Sequence, residues 1–239
     1  MELVDALPAR CASMLERREV EAALVPIIEY QRLADVVVVP DVCVGTIRQV
    51  RSVVLATSKE KLPDVRRIAL DESSRTSAAL LKIIFREFLN CEPEWITSLP
   101  DINQMLSDND AALIIGDPAM TFARGNLQVF DLAELWREHT GLGFVFAMWM
   151  APDNVATARR IDFSAVRDEG VARMEEIVEF YTPLLELSRD DLRAYLHENI
   201  RFSIADEMRA GMELYFQLAH KHGLIPKVKP LKFQLRSEP

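Results

Sequence analysis

The spacing of apolar positions changes repeatedly along the first 150 residues and settles to one period afterwards. Between Pro8 and Arg18, Cys11, Met14 and Leu15 share one side of a short predicted helix that leads out through charged residues. Ala22-Ala23-Leu24-Val25, halted by Pro26, and Val36 to Val39, halted by Pro40, read as buried strands, and Arg51 to Thr57 as a third. Arg67-Ile68-Ala69-Leu70 predicts a strand, followed by a polar loop from Asp71 and a helix whose Leu80, Leu81, Ile84, Phe85 and Phe88 keep helical spacing. Asp101 to Ser107 and Asp131 to His139 read as helices, while Ala112 to Ile115 and Gly143 to Trp149 read as strands.

Beyond Ala151 the pattern is helical only. Val171, Met174, Val178 and Tyr181 keep one face apolar, Ser188 with Asp191 caps a second helix, and Met208 to His222 forms a third that Gly223 and Pro226 end. Strands alternating with helices predict an α/β architecture with a largely parallel sheet, onto which the helical tail packs back.

Composition narrows the function class. The 239 residues are 49% apolar and 27% charged, a globular composition, and 28 basic against 37 acidic residues leave a net charge of −9. That balance argues against broad binding to nucleic acid or to an anionic membrane, so an anionic ligand must meet a local cluster of donors. Three cysteines without a C-x-x-C pair indicate neither a disulfide framework nor a zinc site, and fit a reducing cytosol. The longest nearly uncharged apolar run, Phe144 to Pro152, falls far short of the ~20 residues of a membrane-spanning helix. The first residues show no secretory signal, so a cytoplasmic location is expected.

Candidate chemistry concentrates in two loops. If Ser73 or Ser74 caps the helix after the Arg67–Leu70 strand, Arg75, Thr76 and Ser77 occupy its first turn, where backbone N–H groups are unpaired. An arginine there opposes the helix dipole, and the loop lies at the carboxyl edge of a sheet, where α/β proteins bind ligands. Together these features describe a carboxylate or phosphate receptor. The alternative is an ordinary serine cap with Arg75 paired to Asp71 or Glu72. Gly116-Asp117-Pro118 likewise follows a strand, and its simpler reading is a turn in which Asp117 bonds its own backbone. None of the four histidines has metal-ligand spacing, and His220 and His222 suit helix capping. Phe144, Phe146 and Trp149 alternate as strand residues, fitting core packing or, alternatively, the lining of a cleft. No nucleotide-binding or serine-hydrolase motif is present.

Several strings occur in the order seen in one family: Asp5-Ala6-Leu7-Pro8, Leu24-Val25-Pro26-Ile27-Ile28-Glu29-Tyr30, Val50-Arg51-Ser52-Val53, Asp71-Glu72-Ser73-Ser74-Arg75-Thr76-Ser77 and Ile115-Gly116-Asp117-Pro118-Ala119. The sequence resembles the chorismate dehydratases of the futalosine route to menaquinone, from about Asp5 to Pro226. The resemblance implies a two-lobed, type II periplasmic-binding-protein-like α/β fold with the ligand in a cleft between lobes. Mapped onto this chain, residues 1–57 and 145–239 would form lobe 1, and residues 58–144 lobe 2. It implies conversion of chorismate to 3-[(1-carboxyvinyl)oxy]benzoate and water, with no metal or organic cofactor. Ser73, Ser74, Arg75, Thr76, Ser77, Gly116 and Asp117 would bind substrate, and the general base is left unassigned. Relatives of the family carry a strand and a Ser-Tyr-Leu-Asn-like turn ahead of the position matching Asp5, so a first lobe without that strand and a cleft without its Asn are expected. The rival readings are a non-catalytic carboxylate-binding module of the same fold, and the sister enzyme 1,4-dihydroxy-6-naphthoate synthase.

Overall fold

A computed structural model describes residues 2–153 and 161–233. Two sheets organise these residues. The first has three strands in the order β1 (Ala23–Pro26), β8 (Phe144–Pro152), β2 (Val36–Thr46), with β8 antiparallel to both neighbours. The second has five, ordered β5 (Glu94–Ser98), β4 (Arg67–Asp71), β6 (Ala111–Ile115), β3 (Val53–Thr57), β7 (Gln128–Asp131). Only β4–β5 and β4–β6 are parallel, so the expectation of a largely parallel sheet is corrected: β3 enters from the other sheet and runs against β6 and β7. Val53–Thr57, expected in the first lobe, pairs within the five-stranded sheet, which moves the change of sheet ahead of Val53.

Pro40 does not end the second strand as expected. β2 continues through it, with the register shifting between Val38 and Cys43 and Asp41 at φ 58°. A proline has no N–H to donate and is tolerated where the ladder is already interrupted. The short strands β5 and β7 carry too few apolar residues to stand out in the sequence, and both lie at sheet edges.

Helices cover the sheets. α1 (Pro8–Glu16) packs on β1, and α2 (Arg75–Ile83) continues through a π-helical turn to Phe88. α3 (Ile102–Asp108) and α5 (Leu132–Thr140) are capped by Asp101 and Asp131, and α4 (Asp117–Thr121) is a single short turn. The tail contains α6 (Phe163–Ala172), α7 (Met174–Tyr181), α8 (Arg189–Ala194) and α9 (Asp206–Lys221). A π-helical turn, Tyr195–Asn199, follows α8. The apolar periodicity from Val171 to Tyr181 therefore spans two helices that break at Arg173.

Two crossings join the sheets, one from Thr46 to Val53 and one from Thr140 to Phe144. Asp131 fixes the first, accepting hydrogen bonds from the backbone N–H groups of Val50 and Arg51 (2.9 and 2.6 Å) while it caps α5 through Ala133 and Glu134. α9 covers the second at Gly143 and Gly211, where the backbones meet without side chains: a Cβ on Gly211 would fall on the Gly143 carbonyl oxygen. Phe144 and Phe146 of β8 serve this core, with Phe144 wholly buried between Trp136 and Tyr215 at ring distances of 5.6 and 5.1 Å, whereas half-buried Trp149 packs outside it on Phe163. One apolar cluster runs from β1 and β2 through α2 to α9, so the sheets share a packed foundation.

Candidate active site

The parallel strands β4, β5 and β6 end on one edge of the five-stranded sheet, and antiparallel β3 begins there. This edge brings together the two loops singled out in the sequence. Asp71 to Ser77 follows β4; Gly116 and Asp117 follow its neighbour β6, with Gly116 at φ 72° and its N–H donated to Ser52 at 2.8 Å.

Within Ser73 to Ser77 the side chains have different partners. Ser73 donates its hydroxyl to Asp71 at 2.6 Å and its N–H to the same oxygen at 2.8 Å, which closes the loop on itself. Thr76 faces the other sheet: its hydroxyl accepts the Ile28 N–H at 3.4 Å and its carbonyl accepts the Tyr215 hydroxyl at 3.0 Å. Ser77 is buried in the same turn. Ser74 takes the cap position of α2 with extended backbone, yet its side chain caps nothing. The residue is 4% exposed, and its Oγ has no hydrogen-bond partner among the described residues. A buried hydroxyl without a partner costs ~1–3 kcal/mol, and here it sits beside the unpaired N–H groups of a helix start.

Arg75 pairs with neither Asp71 nor Glu72. Its guanidinium reaches Glu29, in the single helical turn Ile27–Gln31 after β1, at 2.8 Å, and donates to the Ser13 hydroxyl at 3.3 Å. Glu29 is 3% exposed and receives Arg32 at 2.7 Å on its other oxygen. Two cations therefore surround one carboxylate, and the cluster keeps a net positive charge. The side chain of Arg75 remains 34% exposed. Ser74, Arg75 and Arg32 line a cavity of about 210 Å³ together with Asp71, Glu72 and Lys82. A larger hollow of about 330 Å³ lies between α7 and α8, away from the strand ends, and its Glu175 already pairs with Arg193 and His197.

Asp117 opens α4 instead of forming the isolated turn expected. A third polar group on this edge went unnoticed in the sequence: Tyr195 donates its hydroxyl to Ser52 Oγ at 2.9 Å. Burial, together with the Asp117 carboxylate, pushes the Tyr195 hydroxyl up from its ordinary value. Ser52 lies within a family-like string, but nothing local marks Tyr195. Among the described residues no group of three His, Cys, Asp or Glu side chains could hold a metal ion, and no helix is long and apolar enough to cross a membrane.

A family model described as "Menaquinone biosynthesis" matches residues 1–221. The chain belongs to this menaquinone-biosynthesis family. Among relatives of known name, a chorismate dehydratase of Thermus thermophilus is 30% identical over 237 aligned positions, covering 89% of this chain and 84% of its own length. A chorismate dehydratase of Campylobacter jejuni is 24% identical, covering 90% and 82%. Solved structures with the same fold include a protein of Archaeoglobus fulgidus, at TM-score 0.66 and 19% identity over 93% of this chain and 86% of its own. Another is the periplasmic aliphatic sulphonate binding protein SsuA of Escherichia coli, at TM-score 0.59 and 13% identity over 98% and 84%. The menaquinone-biosynthesis chain thus has the periplasmic-binding-protein-like α/β fold expected from its sequence.

Proposed function

We propose that this chain dehydrates chorismate to 3-[(1-carboxyvinyl)oxy]benzoate in menaquinone biosynthesis, as its relatives' name implies. The C–H bond at the ring carbon bearing the enolpyruvyl ether breaks, its electron pair forms the third ring double bond, and the neighbouring C–O bond breaks. Hydroxide and the released proton together leave as water. No oxidant or reductant enters the balance, and aromatisation drives the reaction. The protein must orient the ring and exclude bulk water, which a cleft between two sheets suits.

The observation that carries the reading at this site is Ser74 at the start of α2, a residue that borders the cavity and whose hydroxyl is buried without a partner. One substrate carboxylate would receive this hydroxyl and the first-turn N–H groups of Arg75, Thr76 and Ser77. Arg75 and Arg32, both held by Glu29, line this cavity with Lys82 and supply cations beside the carboxylates of Asp71 and Glu72. About 210 Å³ is below the ~300–1,000 Å³ usual for small-molecule sites, so this cavity holds the carboxylate end and the ring extends along the strand edge toward Gly116 and Asp117. In this arrangement residues 2–52 with 145–153 and 161–233 form one lobe and residues 53–144 the other. The three thiols, free in the structure, suit the reducing cytoplasm where the reaction would run.

Ser74→Ala tests the site. A hydrogen bond to a charged group contributes ~1.5–3 kcal/mol, so the variant should bind chorismate at least about 10-fold more weakly, read as KM from the loss of diene absorbance. Its Tm should hold or rise, because Ser74 Oγ bonds nothing in the free protein and the substitution removes a buried unpaired hydroxyl. Unchanged KM would remove Ser74 from the site, and binding without turnover by the unsubstituted protein would make the chain a receptor.

A further inference from the structure

The polar groups on the strand edge form two clusters. The first is the start of α2, after β4. The second lies around the start of β3 and the end of β6, where Ser52, Gly116 and Asp117 meet Tyr195 from the π-helical turn of the tail. Since β6 separates β4 from β3, the clusters are two strand spacings apart, about 10 Å between backbones. The ring of the proposed substrate has a matching layout. Its carboxylate and its hydroxyl occupy opposite ring carbons, so a carboxylate anchored at Ser74 directs the hydroxyl along the edge toward the second cluster.

We propose that Tyr195 is the hydrogen-bond donor to the departing ring hydroxyl, with Ser52 as the positioning residue that holds its phenol in place. This inference rests on the reading of the chain as a chorismate dehydratase and adds a residue to it. Tyr195 is half-buried and comes from the helical tail, so its hydroxyl is brought to the edge by an element outside the five-stranded sheet. In the free protein it donates to Ser52 Oγ at 2.9 Å; a ring hydroxyl arriving beside Ser52 would take that one proton, and Ser52 would hold the phenol by donating its own hydroxyl to the phenol oxygen. Arg51, next to Ser52, is paired with Asp191 at 3.0 Å, and this second link ties the tail to the same crossing. A neutral phenol remains a donor across the physiological range, while Asp117 discourages a second carboxylate from taking this position. The π-helical turn that carries Tyr195 is a rare backbone form often found at functional sites.

The test compares Tyr195→Phe and Ser52→Ala with the unsubstituted protein in chorismate turnover, alongside Tm. Tyr195→Phe should lower kcat about 30- to 100-fold with KM changed less than about threefold, the pattern of a contact made mainly in the transition state. Ser52→Ala should lower kcat about fivefold or more, because the phenol keeps its proton but loses the hydroxyl that holds it in position. Both proteins should retain a Tm within a few degrees. Wild-type kcat in either variant overturns the inference, as does a loss that only follows the fraction of folded protein. If Tyr195→Phe fails to fold, the Ser52→Ala result decides. Absence of turnover in the unsubstituted protein defeats the underlying reading instead, so the two failures are told apart.

Discussion

Ser73 to Ser77 shows what local sequence resolves and what it leaves open. The serine-flanked arginine at a helix start was legible, because cap residues and apolar spacing act over a few positions. The division of labour among the five was not. Thr76 is engaged by Ile28, 48 positions earlier, and by Tyr215, 139 positions later; Arg75 is engaged by Glu29, 46 positions earlier. These partners exist only once the two sheets pack together, and they make Arg75 one member of a Glu29-centred cluster. Arg75→Ala should therefore cost stability, about 1–3 kcal/mol, since it strips one of two cations from a buried carboxylate. Chemical denaturation should show the loss as a lower midpoint; an unchanged midpoint would mean Arg32 alone satisfies Glu29.

Most helices and strands with strong apolar periods are legible in the sequence, although the Val171–Tyr181 period runs across two helices, and the strands that escape it lack a local signal. β5 and β7 are half-exposed edge strands with little pattern, and β2 passes through Pro40 at an irregularity that only its pairing with β8 reveals. Packing between elements adds two expectations. Gly211→Ala would push α9 away from the second crossing, because the new Cβ meets a backbone carbonyl that no rotamer change can move. The cost should be about 1–3 kcal/mol, seen as a Tm several degrees lower, and an unchanged Tm would show the helix can shift freely. At the far end of α9, Lys221 and His222 lie 2.8 and 2.7 Å from Glu87, beyond the end of α2, and hold its carboxyl below the ordinary 4.5. A depressed folded value means that this stabilisation is complete above about pH 4.5 and fades as pH falls through the lower value. Stability curves should thus fall less steeply for Glu87→Gln than for the unsubstituted protein between about pH 5 and pH 3. Parallel curves would show that the cluster does not couple the helices.

Across the whole molecule, two sheets joined by two crossings place the ends of β4, β5 and β6 opposite the helical tail, and the chemistry collects on that edge. The fold alone serves solute receptors as readily as enzymes, as SsuA illustrates. In the proposed function, what separates the two is a carboxylate held at the start of α2 with the second polar cluster on the same edge, inside a menaquinone-biosynthesis family member. That pairing was half legible: the loops were visible in the sequence, whereas Tyr195 is brought to the edge by the return of the tail. The most direct measurement is a proton NMR time course of the purified chain with chorismate. The ring signals of the diene should give way to those of a meta-substituted benzoate that keeps its enolpyruvyl methylene, at a rate proportional to protein concentration. A chorismate spectrum that stays unchanged while the ligand is demonstrably bound would contradict the account.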